Sequence, residues 1–342
     1  MRFQNRRPPM SLTKLSICIP TYNRSKYLDR LLHSLSLNIH LPFVHVCISD
    51  NASDDNTSET VSRWQSKGLF KISYHRNKSN IGADRNYFQS IEMAETQYCW
   101  LMGSDDQLAS NAIELIMPQL HLFDIALVQS KPLVAKSKHG KATTYSHILM
   151  RTIYDNINIW DLEGYSDVSS YFQQCADLRG VFSYLSSIVF DKKSVNPIFD
   201  RALEGSLYSH VKPFIYRMVI SRCKVAYIPH ALVINQRGND SFWKNWVQRS
   251  LIDFNGYQRV AVSLNLPPHV HKHFISVLNR EHPPHRTLSI FTFTRFQNPN
   301  KDFELLRHMS RIPNRAFVID LIMYVLSFPP RLIYSVYKAL SC

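Results

Sequence analysis

Apolar and polar positions in the first 120 residues alternate between two periods. Short runs rich in Ile, Val, Tyr and Trp, at Leu15–Pro20, Val44–Ser49, Lys71–His75 and Tyr98–Met102, predict β-strands. The longer stretches between them, Ser25–Leu37, Asn56–Lys67 and Ala83–Glu95, predict amphipathic helices. In the first of these, Tyr27, Leu28, Leu31, Leu32 and Leu35 recur at helical spacing. This alternation predicts an α/β fold in which a largely parallel sheet carries helices on both faces. Further strands are expected near Ile125–Ser130, Ser187–Phe190 and Val225–Ile234, and a helix over Ala109–Leu120. A domain edge is expected near Asn235. It would divide an α/β unit at 12–235, with halves at about 12–120 and 121–235, from a mostly helical region at 236–342.

Composition narrows the class. With 342 residues and 45% hydrophobic content, the chain can bury a full core and is not a disordered polymer. Cys18, Cys47, Cys99, Cys175, Cys223 and Cys342 form no CxxC pair, and several sit inside apolar runs where a thiol packs as a small hydrophobe. That usage fits a reducing, cytoplasmic setting. Met1–Met10 has three arginines and two prolines with no apolar run behind them, which does not resemble a secretory signal.

Charge adds a partner question. The net charge is +14, and the stretch from Gln236 to the end holds 14 Lys and Arg against 6 Asp and Glu. Basic surface attracts nucleic acid or an anionic membrane face. Ala316–Phe328 is strongly apolar but only 13 residues long and contains Asp320, too short for a spanning helix of about 20 residues. Arg331–Lys338 follows as a basic and apolar mixture. These segments read either as interfacial, on the inner face of the cell membrane, or as a helix pair packed on the domain. Nucleic acid is not the expected partner, because aromatics and Lys/Arg are not interleaved as in a nucleic-acid module.

The loops after the predicted strands carry the candidate chemistry. Pro20-Thr21-Tyr22-Asn23-Arg24 follows the first and contains no glycine, so the dinucleotide fingerprint is absent. Ser49-Asp50-Asn51-Ala52-Ser53-Asp54-Asp55 follows the second, and Asn80-Ile81-Gly82 with Arg85-Asn86 the third. The fourth strand stops abruptly at Gly103-Ser104-Asp105-Asp106. Paired carboxylates on a strand end suit a divalent cation, but they also suit a turn and helix cap. In a parallel sheet all these loops face one edge, where such folds bind ligands. There Asp50 could accept from a base N–H or a ribose hydroxyl. Arg85 with a bound metal could offset a pyrophosphate. Asp54 and Asp55 read better as caps of the next helix, and Gly82 as a turn residue.

Together these four motifs resemble the family 2 glycosyltransferases of the GT-A fold. The likeness is good over about 14–120. Weaker matches at Gly180–Ser187 and Arg237–Ser241 point toward the abequosyltransferase-like members of O-antigen and lipopolysaccharide synthesis. The resemblance implies metal-assisted transfer of a hexosyl or deoxyhexosyl group from a nucleotide-sugar donor to a saccharide or lipid-linked acceptor, with inversion as the family default. It implies that Pro20, Thr21, Tyr22 and Asn23 line the nucleotide pocket with Gly82 and Arg85, and that Asp50 contacts the base. It makes Asp105-Asp106 a DXD-like motif for Mg2+ or Mn2+, with Asp106 the principal ligand and Asp105 orienting the sugar or ribose.

The acceptor half departs from the family pattern. The Glu-Asp pair that often supplies a general base is missing, and the region reads Glu204-Gly205-Ser206-Leu207-Tyr208-Ser209-His210. His210 is the preferred candidate, since an ordinary imidazole titrates near about 6.5. Glu204 and Asp200 are the alternatives. A sugar nucleotidyltransferase would share the carboxylates but would want a glycine-rich first loop. A basic membrane-binding or nucleic-acid-binding protein would leave the four motifs unexplained.

Overall fold

The computed structural model describes residues 15–132, 149–236 and 246–283. The first four strands are β1 (Leu15–Thr21), β2 (Val44–Asp50), β3 (Lys71–Arg76) and β4 (Tyr98–Leu101). They alternate with helices α1 (Ser25–Ser36), α2 (Thr57–Ser66) and α3 (Ala83–Glu92). All pairings within this group are parallel, in the order β3-β2-β1-β4. Every residue of β1 and β2 is buried, which is why both read as nearly continuous apolar runs. β3 lies at the edge and exposes Lys71, His75 and Arg76.

Side-chain alternation sends each strand into two cores. Ile17, Ile19, Val46, Ile48 and Trp100 pack under Leu28, Leu31 and Leu35 of α1 and Trp64 of α2. Cys18, Cys47, Cys99 and Leu101 point the other way, toward Ile91 of α3. The five described cysteines are buried free thiols, as their apolar sequence settings suggested.

Beyond β4 the sheet becomes mixed. The remaining strands are β5 (Gln107–Leu108), β6 (Ile125–Pro132), β7 (Asn158–Leu162), β8 (Ile188–Asp191) and β9 (Cys223–Asn235). β8 inserts antiparallel between β4 and β6, β9 runs parallel to β6, and β5 and β7 pair antiparallel with β9. The predicted helix over 109–120 is only α4 (Ala112–Ile116), continued as a 3-10 turn over Met117–Leu122. Pro118 explains the break, because it offers no N–H to an α-helical ladder.

The second core collects the helices of the later half: α5 (Tyr165–Gln174), the short α6 (Lys192–Val195), α7 (Val211–Ile220), α8 (Trp246–Leu264) and α9 (Pro268–Glu281). Phe254, Tyr257 and Phe274 of the last two are buried in the same cluster as Phe172, Phe190 and Phe214. The helices that follow Asn235 therefore rest directly on the α/β layer. Among the described residues no helix is long and apolar enough to cross a membrane. The segments Met1–Met10, Arg237–Ser241, Ala316–Phe328 and Arg331–Lys338 lie outside the described residues.

Gly256 marks the tightest of these contacts. A Cβ built there would stand 2.3 Å from the Tyr208 ring and 2.8 Å from the Ser206 carbonyl. Gly256→Ala is expected to lower stability by about 1–3 kcal/mol through overpacking, measured as a shift in the urea midpoint. An unchanged midpoint would show that α8 can slide away from Tyr208 at no cost.

Candidate active site

The parallel register places the predicted loops side by side. Thr21 stands opposite Asp50, Asn51 N–H donates to the Thr21 carbonyl at 2.9 Å, and Met102 N–H donates to the Cys18 carbonyl at 2.9 Å. The loops enclose a cavity of about 370 Å³ at the carboxyl ends of the strands. Pro20, Thr21, Tyr22, Asp105, Asp106 and His210 all line it.

Asp106 is the most constrained group in this cavity. It is 4% exposed, and its Oδ2 accepts from the Tyr184 hydroxyl at 2.7 Å and the Ser186 hydroxyl at 2.5 Å. Its Oδ1 accepts from Gln236 N–H at 3.0 Å and the Asn235 amide at 3.4 Å. Burial and the charge of Asp105 push its carboxyl up to about 6, against the opposing pull of these donors. Ser186 also accepts Gly103 N–H at 2.9 Å, and the Trp100 indole donates to the Ser186 carbonyl at 2.8 Å. A Cβ at Gly103 would crowd Asp105 Oδ1 at 3.0 Å and Ser186 Oγ at 3.3 Å.

Asp105 is the more accessible carboxylate, 21% exposed, with Oδ2 at 3.1 Å from Arg24 Nη1. Both Asp106 oxygens accept from protein donors, whereas Asp105 reaches the cavity beside Arg24. Among the described residues no cluster of three His, Cys, Asp or Glu side chains forms a complete metal cage. The pair suits a hard cation that fills its other positions with ligand oxygens and water.

Asp50 is not among the residues lining the cavity: it is fully buried, Oδ1 accepts Ser53 N–H at 2.9 Å, and Oδ2 accepts the Tyr74 hydroxyl at 2.6 Å. Its neighbour Asn51 takes the cavity position and is held by Asn80 and Ile81 N–H. Asn23 turns away, with φ 52°, its N–H on Ser53 Oγ and its Oδ1 accepting Asp54 N–H. Gly82 has φ 84°, the left-handed turn that favours glycine, and is not part of the lining. Arg85 is paired with Glu204 at 2.7 Å, and neither is among the residues lining the cavity. Arg24 and Arg249 are the guanidiniums that line it instead. Asp55 caps as anticipated: its carboxylate accepts from Thr57 N–H of α2 and Ser25 N–H of α1.

His210 reaches the cavity wall but not in the expected state. It is 2% exposed, its Nε2 bonds the Phe182 carbonyl at 2.9 Å, and its Nδ1 has no hydrogen-bond partner among the described residues. A carbonyl can only accept, so Nε2 carries the proton and Nδ1 is a bare acceptor. Burial lowers its pKa to about 4, which makes it a neutral and weak base near pH 7. Of the alternatives, Glu204 is bound to Arg85 and Asp200 to Lys212 at 2.5 Å. The wall beside His210 contains Leu207 in the left-handed region at φ 63°, fastened by its N–H to Asp84 Oδ2 at 3.1 Å. Sequence reasoning did not single out Tyr184, Ser186, Asn235, Gln236 or Arg249. They converge from three distant segments, and only Tyr184 and Ser186 fell within a quoted motif.

Comparison with known proteins agrees with this geometry. Residues 16–174 match the family described as glycosyl transferase family 2. The chain is 36% identical to the abequosyltransferase RfbV of Salmonella typhimurium over 282 residues, 79% of this chain and 81% of that one. It is 26% identical, over 38% of this chain and 43% of the other, to a Campylobacter jejuni β-1,3-glucosyltransferase acting on GalNAc(5)-diNAcBac-PP-undecaprenol. In fold it resembles Staphylococcus aureus TarS 1-349 in complex with UDP, with TM-score 0.60 and 14% identity, covering 88% of this chain and 81% of that one.

The buried imidazole sets a pH dependence. Because the folded pKa of about 4 lies below the ordinary value of 6.5, the unfolded chain binds the extra proton first, and stability falls as pH drops from about 6.5 to 4. His210→Gln is expected to flatten that part of the stability curve in urea titrations at a series of pH values. An identical slope in the variant would show that His210 is not the group that titrates.

Proposed function

The chain belongs to glycosyl transferase family 2 and is a glycosyltransferase with the GT-A fold, and we propose that its 370 Å³ cavity takes a nucleotide-sugar donor whose diphosphate faces Asp105. The observation that carries this reading is the convergence of three strand ends, through Pro20–Tyr22, Asn51 and Asp105-Asp106, on one cavity. The acceptor is a saccharide or lipid-linked saccharide of a cell-surface polysaccharide. The names of the Salmonella and Campylobacter relatives support that substrate class.

Transfer forms a bond between an acceptor hydroxyl and the anomeric carbon, breaks the anomeric carbon–diphosphate bond and passes the hydroxyl proton to solvent water. The leaving nucleoside diphosphate gains negative charge as it departs. Arg24 lies beside it to offset that charge through directed N–H donors. Mg2+ or Mn2+ held by Asp105, with Asp106 behind it, would supply further charge neutralisation on the diphosphate. Asp106 keeps Asp105 in place by fixing the backbone that follows Gly103. The bare Nδ1 of His210 supports a role as acceptor for a substrate hydroxyl rather than as the general base. The basic region after Gln236 supports residence on the inner face of a membrane, where lipid-linked acceptors are found.

A panel of nucleotide sugars, assayed for nucleoside diphosphate release with Mn2+ and then with EDTA, tests the reading. Asp105→Asn is expected to lower kcat/KM about a hundredfold or more, and EDTA to do the same to the wild type. Normal turnover by Asp105→Asn would remove the diphosphate assignment. Release of inorganic pyrophosphate would point to nucleotidyl transfer instead.

A further inference from the structure

Arg24 and Asp105 form an ion pair that opens directly on the cavity. Arg24 Nη1 lies 3.1 Å from Asp105 Oδ2, and both residues line the cavity wall. The backbone is fixed on either side of this contact. The Arg24 carbonyl accepts Tyr27 and Leu28 N–H at the start of α1, and Asp106 N–H donates to the Gly103 carbonyl at 3.1 Å. Adjustment between the two groups therefore falls to the long and flexible Arg24 side chain.

The other charged groups at this edge are committed elsewhere. Asp106 accepts from Tyr184, Ser186, Asn235 and Gln236, all of them neutral donors. Arg249 donates to the fully buried Asp253 at 3.0 Å, and Asp253 is held in turn by the Tyr208 hydroxyl and by His282 Nε2 at 2.8 Å. A divalent cation approaching Asp105 would meet the Arg24 guanidinium already on the carboxylate. The two positive groups repel each other and compete for the same oxygens. A guanidinium fork matches phosphate oxygens as well as carboxylate ones, so an incoming diphosphate offers Arg24 a second partner. Asp105 would then be released at the moment when diphosphate oxygens arrive beside it.

We propose that Arg24 is a latch on Asp105, excluding a divalent cation from the carboxylate until a nucleoside diphosphate draws the guanidinium away, so that cation and nucleotide bind cooperatively. The inference rests on the donor-site reading above. Mn2+ titrations of the full chain without nucleotide, followed by the EPR signal of the free ion, test it. Arg24→Met is expected to tighten Mn2+ binding about tenfold or more over the wild type, and Arg24→Lys, which keeps the charge, to stay within about twofold of it. Adding Asp105→Asn to Arg24→Met is expected to abolish the gain. Calorimetry with a panel of nucleoside diphosphates, in Mn2+ and then in EDTA, reads the same coupling from the other side. The factor by which Mn2+ tightens nucleotide binding is expected to be about tenfold smaller in Arg24→Met than in the wild type, because the coupling is reciprocal. Mn2+ binding no tighter in Arg24→Met, a gain that survives Asp105→Asn, or an equal Mn2+ effect on nucleotide binding in both proteins would each overturn the latch. Failure of every nucleoside diphosphate to bind the wild type would overturn the donor-site reading instead, whatever the Mn2+ titrations show.

Discussion

The buried Asp106 carboxylate is the interaction on which the site depends. A carboxylate taken from water needs nearly all its lone pairs satisfied, and here the donors come from the 184–186 turn and from the end of β9. Two segments distant in sequence are thereby tied to the end of β4. Removing a donor would leave that buried charge less compensated. That necessity holds the rim of the cavity together and keeps the neighbouring Asp105 turned outward.

The fold supports this knot from both sides. On the parallel side, β1 and β2 are sealed between two apolar layers, so their loops emerge at fixed heights. On the mixed side, β8 reverses direction between β4 and β6 and brings Tyr184 and Ser186 back to the cavity. α8 then braces the wall opposite, with Gly256 against Tyr208 and Asp253 accepting the Tyr208 hydroxyl. The strained Leu207 is held by Asp84, which also accepts the Ser209 hydroxyl at 2.7 Å.

Electrostatics divide the labour among similar residues. Asp105 and Asp106 are adjacent in sequence, yet one is accessible beside an arginine and the other is sealed in and shifted toward neutrality. Arg24 and Arg85 both follow motif residues, yet Glu204 draws off Arg85 and leaves Arg24 to the cavity. His210 shows the same effect of environment, since burial removes the basicity that its residue type suggests.

Legibility in sequence followed the range of the interactions. The alternation of apolar runs specified the parallel half, because strand and helix periods are local properties of the chain. The abrupt polar ends at Thr21, Asn51 and Asp105 specified which edge carries chemistry, because parallel strands must all end on one side. Tertiary structure alone decided that Asp50 is buried against Tyr74, that Asp106 is a bound anchor, and that Asn235, Gln236 and Arg249 join the wall. Those outcomes turn on which distant donors reach a given carboxylate, and no local pattern records the partner. The 109–120 helix fell between the two cases: its apolar spacing was local, but so was Pro118, and the missing N–H prevailed.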